Sequence, residues 1–318
     1  MIGRLAWVGL VVTDVDATAS AFERDFGLKR ADRAVADSGR RAPCFAVGAA
    51  ELVLFAPNDP FLDASARPGA SAKSGVHHIA LAVSDLDAAA RRCADAAVAL
   101  VDSTESPGLA GRRRRILRRD ATAGVVTWLT EPLDVAPSSG GSVERIDHIG
   151  VASADNARAI EAFVQRLGCP LESTQTDLEV RIAVESFTSD KYGAVYHSRP
   201  PEPVGGLRVA FVTIGDCELE FLQDFDPGHG AAVAHGQPGT TKQDQSAIAR
   251  FITSRGAGLH HLSLKVTDID ASLASLAAAG HSVIDKVGRP GSRRARIGFL
   301  HPKTLGGLLV HLVERDTR

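Results

Sequence analysis

VHHIALAVSDLDA, running from Val76 to Ala88, decides the architecture, because the chain repeats it. The other copies read LAWVGLVVTDVDA from Leu5, IDHIGVASADNAR from Ile146 and LHHLSLKVTDIDA from Leu259. Each is a short apolar run, then a small or polar residue and an Asp, then an Ala-rich stretch with helical spacing. Such a pattern predicts a strand leading into a helix whose first amides are satisfied by the Asp side chain. Alternating segments with Gly and Pro punctuation follow each helix. In the third copy these are LEVRIAVESF, GLRVAFVTI and CELEFLQDF, the last two joined by the turn Gly215-Asp216; in the fourth they are HSVIDKV, RRARIGFL and GLLVHLVE. Period-two alternation predicts half-buried antiparallel strands.

The fold expected is therefore α+β, with four βαβββ modules. One module has an apolar sheet face that it cannot bury alone, so modules should pair into two curved sheets, each around a cleft with helices outside. The far ends of the modules agree as well. ILRRDATAGVVTWL aligns without gaps to FLHPKTLGGLLVHL, and the step from His78 to Trp128 equals that from His261 to His311. The Pro-, Ser- and Gly-rich stretch Leu133 to Val143 is the expected linker. It divides the chain into a domain at 1–133 and another at 144–318.

At 318 residues, 44% hydrophobic and 23% charged, the chain has the composition of a soluble globular protein of two domains. A net charge of −2 argues against nucleic acid or an anionic membrane as partner. No apolar run reaches the roughly 20 residues that span a bilayer. The N-terminal apolar stretch matches the other repeats, so it is expected to be a strand and not a leader. Cys44, Cys93, Cys169 and Cys217 lack CxxC spacing, which favours free thiols and a cytoplasmic location. The arginines of Gly111 to Asp120 should alternate between strand faces, leaving a solvated basic strand and no nucleic-acid patch. Asp226 to Ser246, rich in Gly and Pro and carrying His229 and His235, is a long connection that could cover the cleft mouth.

IDHIGVA, GDCELEFL, AIARFITSRGAGLHHLSLKVTDIDASL and IGFLHPKTLGGLLVHLVE resemble the vicinal oxygen chelate superfamily, which includes glyoxalase I. From Glu144 to Glu314 the chain is similar to the methylmalonyl-CoA epimerase branch; residues 1–133 share the module pattern alone. The resemblance implies one divalent ion (Co, Ni, Zn, Mn or Fe) held by His148, Glu220, His261 and His311. His311 stands where the family has Glu, and a second family Glu aligns with Val209. Imidazole and carboxylate together suit those metals without selecting one. The residues alone place His148 and His261 at repeat-equivalent positions on first strands, and Glu220 and His311 on last strands. A buried Glu220 among apolar neighbours would be costly unless paired or bound to a cation.

The activity implied is proton transfer next to a carbonyl or thioester, with His311 and Glu220 as catalytic groups and a small acyl-CoA or 2-oxo substrate. Glu185 and His197 are further candidate bases. The alternatives are a non-haem Fe(II) dioxygenase or a glyoxalase-like lyase of the same superfamily, a small-molecule resistance-type binding protein, and either a monomer or a homodimer. His77 and His260 should face away from the ligands, His301 should shape a turn or line the cleft, and Arg293, Arg294 and Arg296 could meet CoA phosphates. Trp7, Val53, His78 and Trp128 occupy the matching positions of the first half. There the two indoles should fill the site and exclude metal, leaving a silent partner domain like that of the hydroxyphenylpyruvate dioxygenase branch.

Overall fold

A computed structural model describes residues 2–36, 38–65, 72–101, 105–136, 141–181, 184–191, 193–198, 200–225 and 246–315. The first strands of the four modules are Ile2–Val11, Gly75–Val83, Val143–Ala152 and Gly258–Val266. Helices Val15–Arg24, Leu86–Asp95, Asn156–Ile160 and Ile269–Ala278 follow them, and the third continues through a wider turn at Glu161–Arg166. Asp14, Asp85, Asp155 and Asp268 cap these helices, accepting from the amides of Ala17, Ala88, Ala157 and Ala271 at 2.8 to 2.9 Å. The repeated Asp thus satisfies an amide that the helix leaves orphaned.

The last strands are Ala50–Phe55, Thr127–Thr130, Cys217–Phe225 and Val310–Glu314. Each lies parallel to the first strand of its own module. First strands pair antiparallel, module one with two and module three with four, so the pairing is made within one chain. The larger sheet has eight strands in the order Leu171–Arg181, Glu202–Ile214, Cys217–Phe225, Val143–Ala152, Gly258–Val266, Val310–Glu314, Arg296–Leu300, Arg289–Pro290. The N-terminal sheet has seven strands in a matching arrangement.

Helices and the outer faces of both sheets share one apolar core. It takes Leu5, Val8, Phe22 and Leu81 from the first half, and Ile149, Phe163, Leu219 and Leu264 from the second. Burial of such a side chain contributes about 1.5–3 kcal/mol, and here it joins the halves as well as folding each. Among the described residues no helix is long and apolar enough to cross a membrane.

Two expected strands are shorter or missing. HSVIDKV forms a single bridge from Val283 to Leu300. The Asp285 carboxylate accepts from Phe299 N at 3.0 Å, so a side chain replaces a ladder partner. Arg293 and Arg294 take positive φ (54° and 59°) in a turn, and the strand begins at Arg296. LEVRIAVESF belongs to a strand that starts earlier, at Leu171, and to a separate hairpin, Val184–Ser189 with Gly193–Ser198. Apart from Ser246, which opens helix Ser246–Arg255, the long connection with His229 and His235 lies outside the described residues.

Candidate metal centre

The pairing register sets the site. His148 pairs with Glu218 on one side and Ser263 on the other, and Ser263 also pairs with His311. Gly150 pairs with Glu220 and His261. Four side chains from four strands therefore point into one cavity. A Cβ on Gly150 would lie 2.0 Å from the His261 ring, so glycine makes the room in which that ring sits.

The distances are short. Nε2 of His148 lies 3.2 Å from Glu220 Oε2 and 3.4 Å from His261 Nε2, and His261 Nε2 lies 3.7 Å from the same carboxylate. Ligand atoms of His148, His261 and His311 all fall within 4.8 Å of one another. All four residues are buried. They line a cavity of about 240 Å³ whose walls include Leu207, Leu222, Ile248, Ile297 and Phe299.

Each histidine is oriented differently. His148 Nδ1 donates to Asp147 Oδ1 at 2.8 Å, which turns Nε2 toward the cavity. Asp147 is buried and clamped by Arg315 at 2.7 Å and Arg145 at 3.2 Å. Burial opposes its charge, but His148 and the two guanidiniums outweigh that and hold its pKa low. For His148, burial likewise opposes the charged ring; the carboxylates of Glu220 and Asp147 prevail and raise it to about 9. Glu220 is held low by His148 in spite of burial. Each of the two thus favours the charged form of the other.

His261 Nδ1 lies 3.1 Å from His260 Nδ1, and the first half shows which ring donates. There Trp7 Nε1, a donor only, gives its proton to His78 Nε2 at 3.1 Å. His78 must then carry its own proton on Nδ1, facing His77 Nδ1 at 3.0 Å. By the same arrangement His261 donates through Nδ1 and presents a free Nε2 pair to the cavity. Burial and its neighbours hold His261 well below the ordinary histidine pKa.

His311 has no hydrogen-bond partner at either ring nitrogen among the described residues, although both atoms are buried. Its ring stacks on Phe299, with centroids 4.2 Å apart and planes 9° apart. Burial, then His148, keeps its pKa well below normal. An unsatisfied buried nitrogen costs about 1–3 kcal/mol; an electron-pair acceptor at the point of convergence would satisfy it together with His261 and Glu220. The donor set fits a divalent cation.

Other sequence expectations fare variously. His260 does not face away. The register skips it between Leu259 and His261, and this bulge turns it to line the cavity, with its ring 4.9 Å from that of Phe251. His77 sits at the equivalent irregularity. His301 shapes a turn, accepting from Lys303 N at 3.2 Å. Arg293 pairs with Glu172 and Glu218, and Arg296 with Asp270, so neither stands free for phosphates. In the basic strand, Arg113 pairs with Glu105 and Glu131. Glu185 and His197 face each other by backbone register in the hairpin, outside the eight-stranded sheet. Val209, where the family has a second Glu, is buried with Phe211 and Leu222.

Sequence reasoning missed Asp177. Gln175 Nε2 donates to its carboxylate at 3.1 Å and to Ser292 Oγ, on the cavity wall, at 3.0 Å. Burial, with the charge of Glu220 nearby, raises its pKa. The half-buried alternation of Ser173, Gln175 and Asp177 was the available signal. Ser292, Arg289 and Arg315 also line the cavity and were not singled out for it.

In the first half the same positions are filled. The His78 ring stacks on Trp128 with centroids 3.6 Å apart, and Trp7 and Trp128 meet edge to face at 6.4 Å. The Arg114 guanidinium lies over both Phe61 and Trp128, 3.9 and 4.2 Å from their ring centroids. Val53 replaces the carboxylate and is buried.

Comparison with known proteins identifies the family. A family model described as Glyoxalase/Bleomycin resistance protein/Dioxygenase superfamily matches residues 7–115 and 147–299. The chain is 32% identical over 173 residues to an ethylmalonyl-CoA/methylmalonyl-CoA epimerase from Cereibacter sphaeroides, covering 54% of this chain and 97% of that one. It is 23% identical over 184 residues to human mitochondrial methylmalonyl-CoA epimerase, covering 58% of this chain and 81% of the relative. Among solved structures, a mutant of 4-hydroxymandelate synthase from Streptomyces coelicolor aligns over 99% of this chain and 94% of its own, with a TM-score of 0.61 at 15% identity, a likeness of fold. With both halves matched by the one model, the chain belongs to the glyoxalase/bleomycin resistance protein/dioxygenase superfamily.

Proposed function

We propose that this chain is a divalent-cation enzyme that moves a proton at the carbon next to a carbonyl or thioester, as an acyl-CoA epimerase does. The observation that carries the reading is the convergence of His148, Glu220, His261 and His311 on one buried, mostly apolar cavity. The epimerase names of relatives that match half of the chain or more support this reaction class. In this reading the four side chains hold the cation. Once bound, it would act as a Lewis acid on the carbonyl oxygen, stabilising the charge that develops there as the α-proton leaves.

The chain's own residues supply the rest. The apolar walls keep water from the reacting carbon. Asp147 fixes the His148 ring, and His260 fixes that of His261. A proton must leave one face of the carbon and return to the other, so two groups are needed. His311, whose ring nitrogens have no hydrogen-bond partner among the described residues, would supply one through the nitrogen that does not meet the cation. The carboxylate of Glu220, which lines the cavity, is the other; Asp177 holds Gln175, whose amide also donates to Ser292 on the cavity wall. With His311 in place of the family's Glu, the site carries a single carboxylate.

The test is metal analysis of the purified chain, followed by deuterium incorporation from solvent at the α-carbon of methylmalonyl-CoA. Exchange that needs the cation and is lost in His311→Phe supports the reading. A metal-loaded protein that catalyses no exchange removes the epimerase reading, and a protein that retains no divalent ion removes the site. A second reading rests on His148, His261 and Glu220, a set of two histidines and one carboxylate that suits non-haem Fe(II). Oxygen consumption with Fe(II) and a catechol or 2-oxo acid would support it.

A further inference from the structure

Duplication gives the molecule two equivalent seams, each where a turn of one half meets the first strands of the other. At the first seam the turn Pro302–Leu305 runs into Gly306 and Gly307, with φ of 61° and 95°. Gly306 O accepts from Thr13 N at 3.0 Å, and a Cβ on Gly307 would lie 2.5 Å from Ser74 Cβ. That seam is sealed. At the second, the turn Arg119–Thr122 runs into Ala123 and Gly124, with φ of 50° and 92°, and a Cβ on Gly124 would lie 2.5 Å from Ala257 O. Ala154 is the counterpart of Thr13, yet no bond joins it to Ala123 among the described residues. A groove of about 520 Å³ opens there instead.

Three positions distinguish the seams. The sealed one has Ala17, Ala72 and Pro302; the open one has Arg158, Arg255 and Arg119, and all three arginines line the groove. Arg119 gives Nε to Gly124 O and Nη2 to Ala257 O, each at 2.7 Å, and Arg255 gives Nη1 to Ser74 O at 2.8 Å. None of the three makes an ion pair among the described residues. The groove's two carboxylates are engaged elsewhere: Asp120 pairs with Arg118 at 2.7 Å, and Asp155 caps its helix. Three like charges on one concave surface repel each other, and guanidinium groups match the oxygens of a phosphoryl group in geometry and charge.

We propose that this interdomain groove binds a phosphoryl anion, supplied either by a free polyphosphate or by the nucleotide end of a CoA thioester. The proposal stands on the groove and does not depend on the reaction proposed above. It is tested by calorimetric titration of the full chain with inorganic diphosphate, and separately with CoA, at roughly 0.15 M salt. Excess EDTA keeps the cation site from contributing. Saturable one-to-one binding is expected, weakened by about tenfold or more in Arg158→Gln, consistent with loss of a charge-assisted hydrogen bond. Lys29→Gln, which removes a surface charge away from the groove, should leave it unchanged. The Arg158 side chain makes no hydrogen bond among the described residues, so its variant should unfold at the wild-type temperature. CoA binding more tightly than diphosphate, with both weakened by Arg158→Gln, would support the proposal and make the nucleotide the source. Diphosphate binding without CoA would support it with the free anion as source. No saturable binding of either, or equal losses in Arg158→Gln and Lys29→Gln, overturns the proposal.

Discussion

Asp147 separates His148 from its two companions. His261 leans on another imidazole and His311 on an aromatic ring, whereas His148 donates to a buried carboxylate that two arginines fix in place. Asp147→Asn keeps the shape but can offer its amide hydrogens to His148, freeing the ring to turn. Chelator competition is expected to show metal affinity falling by about 10- to 100-fold, and the metal-free protein should also unfold at a lower temperature, because Arg315 and Arg145 lose their buried partner. Unchanged affinity would show that His148 needs no such support. The raised pKa of His148 adds a pH test. Its folded value, about 9, exceeds the ordinary 6.5, so the stabilisation it brings is whole below 6.5 and is lost as pH rises through about 9. Metal-free protein should therefore lose thermal stability over that window, and saturating divalent ion should abolish the loss. A flat profile without metal would count against the charged His148–Glu220 pair. At this scale the four site residues could be named from the sequence. Asp147 and Asp177 could not, because their roles depend on which face a neighbouring residue turns to.

At the scale of elements, the first strands carry two features that together build a site: a glycine on one strand and a histidine bulge on its partner. Gly150→Ala would drive a methyl group into the His261 ring, and Gly9→Ala would do the same to His78. Each should destabilise the fold by about 1–3 kcal/mol, the usual cost of overpacking. Gly150→Ala alone should also lower metal content, as measured by elemental analysis. Equal metal content in both variants would mean that the His261 position is not critical. Strand and helix identity were legible here, since the capping Asp residues and the alternation in CELEFLQDF are local signals. His260 was misjudged because strict alternation fails at a bulge, and a bulge is set by the partner strand. HSVIDKV was misjudged because the Asp285 side chain takes the ladder's place, a long-range choice invisible to periodicity.

Across the molecule, five histidines among the described residues stay neutral: His78, His261 and His311, which are buried, and His77 and His260, which are half-buried. Burial is the first cause in each, and it lowers His77 and His260 to about 4. The unfolded chain takes up protons near pH 6.5 and the folded chain does not. The stability they contribute is present above that pH and is lost as pH falls toward 4. The unfolding temperature should decline over this range, less so in His77→Asn, which lies outside the metal site. A wild-type profile no steeper than that of the variant would contradict the assignment. The pairing of modules was legible from the repeat. The packing of one half against the other was not, because the seams join residues far apart in sequence, such as Thr13 with Gly306 and Arg119 with Ala257.

The plugging of the first cleft has a practical corollary. The chain has two tryptophans, Trp7 and Trp128, and both belong to that plug. Tryptophan emission, excited at wavelengths that tyrosine does not absorb, therefore watches the N-terminal lobe, while a bound transition metal's absorption would watch the other. Recorded in one denaturant titration, the two signals should coincide if the shared core makes the lobes melt together, and should part if each lobe unravels by itself.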